Sequence, residues 1–191
     1  MGWSTSMIYC IETDYSKYLD LSIDYEEILF EIEEAMGEDA FLDFSYNNSS
    51  LSKYWRDFGG HFNDTGACKN PSKPDVTNWH DATLFLSHKA HDVLSGALKP
   101  FGEFLPISID GESCYIFNCM NVVDVDEENS VADIADGAWL GVKSVVFKEG
   151  ADRGNLVFKT KFDRCVKIYC GDEFKALIEG NGLGGVDFIA L

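Results

Sequence analysis

Basic residues are scarce in this chain. Its 191 residues hold 15 Lys and Arg against 33 Asp and Glu, a formal charge of −18 with a pI near 4.4. A molecule so charged repels nucleic acid and anionic membrane surfaces, so its expected partners are cations or basic proteins. Long apolar runs are missing too, and none approaches the length that crosses a bilayer. The stretch from Met1 to Ile11 has neither a basic n-region nor an uninterrupted apolar segment, which predicts a cytoplasmic protein without a signal peptide.

Signatures of catalysis are lacking as well. There is no GxSxG elbow, P-loop, dinucleotide fingerprint, CxxC pair or HExxH arrangement. The run Gly182-Leu183-Gly184-Gly185 follows an expected helix instead of opening one, so it is no phosphate cradle. These absences predict a protein that is not an enzyme and needs no cofactor. The enzymatic alternative is a metal site built from His80, His88 and His91 with nearby carboxylates such as Asp92, since His88 and His91 lie at i and i+3 of an expected helix. Polar histidines on a helix surface explain the same residues.

The cysteines (Cys10, Cys68, Cys114, Cys119, Cys165, Cys170) are scattered through strand-like apolar runs and suit small core residues of a reduced protein. Cys114 with Cys119, and Cys165 with Cys170, are each five residues apart. On a regular strand that spacing turns the two thiols to opposite faces, so neither pair chelates.

What is present is a core. Hydrophobic residues make up 46% of the chain and aromatics 14%, enough for one compact domain or two small, closely packed lobes. Strands are expected over residues 7–12, 40–45, 83–86, 103–109, 113–118, 139–148, 156–159, 166–170 and 186–189. Asp110-Gly111 joins two of them in a tight hairpin. Helices are expected from Asp24 to Met36, from an N-cap at Ser87 through Leu98 to a stop at Lys99-Pro100, and from a cap at Asp172 to Asn181-Gly182. Strand runs broken by three or so helices, with no regular βαβ alternation and no internal repeat, predict an α+β fold that is mostly antiparallel. The expected division is an N-terminal lobe over 1–80, holding a strand, an acidic helix and an aromatic loop, and an α+β domain over 81–191.

The first of those helices has an apolar stripe (Tyr25, Ile28, Leu29, Ile32, Met36) and an opposite face carrying Glu26, Glu27, Glu31, Glu33 and Glu34, which no Lys or Arg relieves. Like charges at i,i+4 each cost an isolated helix roughly 0.2–0.5 kcal/mol, so folding alone gives no reason to choose them. Phe30 falls inside the acidic face. An aromatic ringed by carboxylates suits an anchor for a basic partner, the ring filling a pocket while the charges steer approach. A solvated face with Phe30 tucked under the N-terminal strand is the competing reading.

Two further stretches are candidate contacts. Residues 46–78 read as a long ordered loop with room for one helical turn, too polar for core and too aromatic for a linker; Tyr54, Trp55 and Arg56 beside Asp57 are its hot-spot residues. Asp124, Asp126, Glu127 and Glu128 concentrate negative charge after the hairpin. Asp124, Asp126, Glu128 and Ser130 alternate like the first ligands of a calcium loop, but Asn129 replaces the turn glycine and Ala135 stands where a bidentate Glu should close the loop.

The order of landmarks from residue 84 onward carries a resemblance. Ser87-His88-Lys89-Ala90 and Val93-Leu94 lead to Gly102-Glu103-Phe104-Leu105-Pro106-Ile107 and Tyr115-Ile116-Phe117-Asn118, then to the acidic stretch from Val123 to Ser130. Leu156-Val157-Phe158-Lys159, the helix from Phe174 to Glu179 and the run from Gly182 to Phe188 complete it. In this order the stretch resembles immunity protein family eleven of bacterial polymorphic-toxin and type VI secretion systems. The resemblance implies a non-catalytic α+β antitoxin, encoded beside a secreted toxin, that binds the toxin and spares the producing cell. Charge adds that the toxin is basic, as a nuclease tends to be, and that neither nucleic acid nor membrane is a partner. An acidic adaptor for a basic protein is the alternative that charge alone would equally allow.

Overall fold

The computed structural model describes residues 7–37 and 41–191. In chain order its elements are β1 (Ile8–Thr13), β2 (Asp20–Ile23), α1 (Tyr25–Met36), α2 (Phe44–Asn47), β3 (Phe58–Asn63), β4 (Val76–Asn78), β5 (Thr83–Leu86), α3 (His88–Leu98), β6 (Gly102–Ile109) and β7 (Glu112–Cys119). They continue with β8 (Val131–Ala135), β9 (Ala138–Ser144), β10 (Val157–Phe158), β11 (Tyr169–Gly171), α4 (Asp172–Gly180) and β12 (Val186–Ala190). The architecture is α+β and mostly antiparallel. Among the described residues no helix is long and apolar enough to cross a membrane.

Six strands form the larger sheet, in the order β2-β3-β6-β7-β5-β4; its pairs are antiparallel except β3 with β6. Alternation sorts its side chains onto two faces, because successive residues of a strand point opposite ways. On β7, Cys114 and Ile116 enter one core, while Phe117 and Cys119 enter another. The first face is covered by Ile28 and Ile32 of α1 together with Phe41 and Phe44; the second is covered by α3, α4 and a four-stranded sheet. Full burial of each of these Ile and Phe side chains stabilises the fold by roughly 1.5–3 kcal/mol.

The smaller sheet runs β10-β11-β1-β12, all antiparallel. β1 therefore lies between two strands from the far end of the chain, and β3 is paired with β6, so both sheets draw strands from each side of residue 80. Asp172 strengthens that closure. It stands at the first position of α4 rather than capping it, Gly171 being the residue before the helix, and its carboxylate accepts from the Met7 amide (3.1 Å) and the Tyr9 hydroxyl (3.0 Å). The glycine run before β12 serves close packing: a Cβ on Gly184 would overlap the Tyr18 hydroxyl, and one on Gly185, at φ +119°, would overlap the Val76 carbonyl.

Several expected elements are as read. Asp24 caps α1 by accepting from the Glu27 amide (3.0 Å), Ser87 caps α3 by accepting from the Ala90 amide (3.1 Å), and Asp110-Gly111 turns the β6–β7 hairpin at φ 51° and 79°. Others are corrected. Of the strand expected at 40–45, Ala40 lies outside the described residues, 41–43 form a turn and 44–45 begin α2, because Phe41 and Phe44 both face the α1 core and stack at 5.3 Å. The expected loop at 46–78 contains β3 and β4, and β2 was not anticipated; these short polar strands pair at the rims of a sheet whose centre supplies the hydrophobic signal. The strand expected at 139–148 is β9, which ends at Ser144 and pairs with an unanticipated β8 through a second Asp-Gly turn at Asp136 and Gly137 (φ 52° and 79°).

Glu103 fastens the irregular segment after α2 to β6. Its carboxylate accepts from Ser50 Oγ (2.6 Å), the Leu51 amide (2.7 Å) and Asn118 Nδ2 (2.9 Å). Partial burial alone would raise its pKa, but these hydrogen bonds outweigh that and hold it below the ordinary carboxylate range. Glu103→Gln should cost about 1–3 kcal/mol of unfolding free energy at neutral pH. A depressed folded pKa gives stability that is present above the unfolded pKa and lost as pH falls through the folded value. In urea titrations the gap between wild type and variant should hold from pH 7 down to the ordinary carboxylate pKa and close below it.

Candidate partner-binding surface

α1 holds its position by one stripe. Ile28 and Ile32 are fully buried, Tyr25, Leu29 and Met36 partly so, and the opposite side faces solvent. Phe30 is 68% exposed and is not tucked under the N-terminal strand. Around it Glu26, Glu27 and Glu34 are exposed. Carboxylates in the first turn favour the positive end of the helix dipole, but Glu33 and Glu34 stand near the negative end, where no basic residue occupies the last turn.

One cation does reach the face, contrary to the reading from the helix alone. Arg56 forms an ion pair with Glu31 at 2.5 Å, so Glu31 is engaged within the molecule. That pair places the 53–57 segment beside α1. Lys53 lies over the Tyr54 ring at 5.1 Å, and both Tyr54 and Trp55 pack against the α1 core. Trp55 is pinned more firmly: its indole N–H donates to the Pro106 carbonyl (2.7 Å), and its ring meets Phe58 at 5.0 Å and Trp79 at 6.0 Å, each edge to face. Asp57 is exposed. Glu27, Phe30, Glu31, Glu34, Tyr54, Trp55 and Asp57 thus belong to one region of the molecule.

The second acidic stretch sits elsewhere. Val123 packs on the small core of Cys10, Phe158 and Tyr169, and Val125 bridges to Phe147. Asp126 shapes the turn, accepting from the Glu128 amide (3.2 Å) and Asn129 Nδ2 (2.9 Å); the hydrogen bond from Asn129 leads in lowering its pKa. Asp124, Glu127 and Glu128 are exposed.

The histidines diverge. His80 stacks among Tyr25, Trp79, Phe41 and Phe44 at 4.8–6.3 Å, on the α1 side of the large sheet. His91 stacks on Tyr115 at 3.7 Å, on the α3 side, and burial lowers its pKa. His88 is at the surface, 3.7 Å from Asp92. Among the described residues no three His, Cys, Asp or Glu side chains gather in a way that could hold a metal ion. Five of the six thiols are buried, and burial pushes Cys10 up to about 12 and Cys119 and Cys165 to about 11, so these are unreactive at neutral pH.

Sequence reasoning missed a cationic groove beside α2 and the β8–β9 hairpin. Two signals were available: the Asp136-Gly137 dipeptide, and three cations, Lys159, Lys161 and Arg164, within six residues of a cation-poor chain.

Residues 106–191, a little under half of the chain, match the profile of an immunity protein family (Imm11). The match covers β7 to β12 with part of β6, and it agrees with the resemblance read from residue 84 onward. It supports the role of an immunity protein, a class whose partner is a cognate toxin. No curated protein matches the chain. The acidic turn at 124–128 lies within the matched stretch; α1 and the aromatic segment lie before it.

Phe30 and Trp55 should separate in a stability measurement. Phe30→Ala is expected to change the unfolding free energy by no more than about 0.5 kcal/mol, as for an exposed side chain. Trp55→Ala should cost about 2–4 kcal/mol through lost packing and a lost hydrogen bond. Urea denaturation of the two variants checks both.

Proposed function

We propose that the protein is a cytoplasmic antitoxin that binds a cognate secreted bacterial toxin, of the polymorphic or type VI kind, and blocks it without catalysis. Its contact surface is the exposed face of α1, extended by the 53–57 segment. The observation that carries this reading is Phe30: an aromatic 68% exposed, among carboxylates of which Glu33 and Glu34 stand at the end of the helix that disfavours negative charge. Phe30 serves as the anchor, Glu26, Glu27 and Glu34 as the steering charges, and Tyr54 and Asp57 as the rim. Trp55 and the Glu31–Arg56 pair brace the segment that carries them.

The match to an immunity family supports the class of function, and the charge of −18 supports a basic target. A nuclease toxin fits best, since its substrate is a polyanion and its active site must attract one; a carboxylate-rich helix can occupy the same field. An interface of ordinary size, roughly 1,200–2,000 Å² in total, exceeds one helix face, so exposed Asp124, Glu127 and Glu128 are available as a secondary contact.

Co-expression with the toxin encoded beside this gene tests the reading. The wild-type chain should rescue growth and co-purify with the toxin. Phe30→Ala, folded normally, should weaken binding by about thirtyfold, the loss of a 2 kcal/mol anchor. Toxicity undiminished by the wild-type chain would refute the proposal, and full affinity in Phe30→Ala would remove α1 from the interface.

A further inference from the structure

The groove between α2, the turn at residues 161–163 and the β8–β9 hairpin differs from the α1 face in presenting two cations. It encloses about 620 Å³, and its walls include Leu42, Tyr46, Trp139, Lys161, Arg164 and Val166. The Lys161 ammonium lies 5.2 Å from the centre of the Tyr46 ring, and the Arg164 guanidinium 4.4 Å from that of Trp139. In a chain with 33 carboxylates, neither cation forms an ion pair among the described residues. Both are held by rings instead, which fixes their position and leaves their N–H groups unspent.

A third cation stands behind them. Lys159 is fully buried, and its ammonium donates to the Ser45 carbonyl (2.7 Å) at the inner side of α2. Two carboxylates, Asp81 and Asp43, line the groove beside the two cations of its wall. Asp81 is turned toward His80 at 3.5 Å, and its burial raises its pKa; Asp43 precedes α2. The backbone is strained to make this arrangement: Arg164 and Cys165, consecutive and neither of them glycine, both take left-handed φ, 62° and 58°. Such residues cost roughly 1–2 kcal/mol each. At the edge, a β-bulge leaves Leu140 of β9 without a cross-strand partner and 63% exposed, beside Ile134 at 60%.

We infer that this groove receives a short acidic segment of the partner protein, its carboxylate held by Lys161 and Arg164 and an adjoining apolar side chain set against Leu42, Tyr46 and Val166. Charge complementarity selects the ligand. A guanidinium stacked on an indole still offers its edge to a carboxylate in a two-pronged hydrogen bond. The apolar walls suit a peptide better than a bare anion, and the volume is that of an ordinary ligand pocket. A nucleic acid would meet the repulsion of the whole molecule, whereas a segment with one or two carboxylates would not. The identity of the partner rests on the antitoxin reading; the chemistry of the groove does not. If the same toxin engages α1, its acidic segment arrives at the millimolar effective concentration typical of tethered ligands, so weak intrinsic affinity suffices.

The test uses the full chain, without toxin. Two probes are titrated into isotope-labelled protein: acetyl-Ala-Asp-Phe-Glu-Ala-amide and its uncharged isostere acetyl-Ala-Asn-Phe-Gln-Ala-amide. The acidic peptide should shift the amide signals of residues 161–166 and the Trp139 indole. The isostere should bind about tenfold or more weakly, and so should the acidic peptide to the K161Q/R164Q variant, the loss expected for a charge-assisted contact. Both altered side chains are exposed, and unchanged signals from the core would verify the fold. Phe30→Ala should leave peptide binding untouched, so failure of the antitoxin reading and failure of this one are told apart. Equal binding of the isostere, no shifts at 161–166, or tighter binding of an oligothymidylate at these residues would each overturn the inference.

Discussion

Burial of the six-stranded sheet on both faces is the constraint from which the rest follows. β5, β6 and β7 supply apolar side chains to both sides, so each side must be covered. The smaller sheet with α3 and α4 covers one, and that sheet closes only because β1 fits between β11 and β12. On the other side the cover is thinner: α1, the short α2 and the aromatic segment. A helix that covers a sheet uses one stripe, and its remaining surface is free to be selected for something else. In α1 that surface carries carboxylates at the wrong end of the dipole and an exposed ring.

Electrostatics gives the two outer surfaces different characters. At physiological ionic strength charges act over about 8 Å, so a net charge of −18 is felt locally and not as a uniform field. The α1 face is strongly negative, relieved among the described residues where Arg56 meets Glu31. The groove beside α2 presents Lys161 and Arg164 together with Asp43 and Asp81, and Lys159 is buried behind it. The two surfaces are linked through packed rings: Tyr25 of α1 meets Phe41 at 5.5 Å, and Phe41 stacks on Phe44 of α2 at 5.3 Å. A partner spanning both would meet charge of each sign, which fixes its orientation as well as its rate of approach.

Much of this was legible in the sequence where a single local rule decides. The cap at Ser87, the Asp110-Gly111 turn, the buried run of β5 and the stripe of α4 depend on neighbours in the chain, and they stand as read. The acidic face of α1 was also visible, whereas the sequence left Phe30 open between an exposed ring and one tucked under the N-terminal strand. What was hidden depends on long-range pairing. β2 and β3 are too polar to announce themselves and exist because β6 offers an edge; Arg56 reaches Glu31 across 25 positions of sequence. Phe41 and Phe44 resembled a strand because apolar spacing in so short a stretch does not separate one helical turn from an extended segment. Asp172 looked like a cap, but the amide of Met7 and hydroxyl of Tyr9 claim its carboxylate. The groove left only local hints, the Asp136-Gly137 dipeptide and the cations of residues 159–164, because nothing in the sequence joins α2, the 161–163 turn and the hairpin into one wall.

The central claim is that the unrelieved carboxylates of α1 exist to draw in a basic protein. Stopped-flow association with the cognate toxin, measured across a range of ionic strength, addresses it most directly. The account predicts that association slows steeply as salt rises and that replacing Glu26, Glu27 and Glu34 by Gln flattens that dependence while dissociation stays nearly constant. An association rate indifferent to salt, or a dependence that survives the three substitutions unchanged, would contradict it.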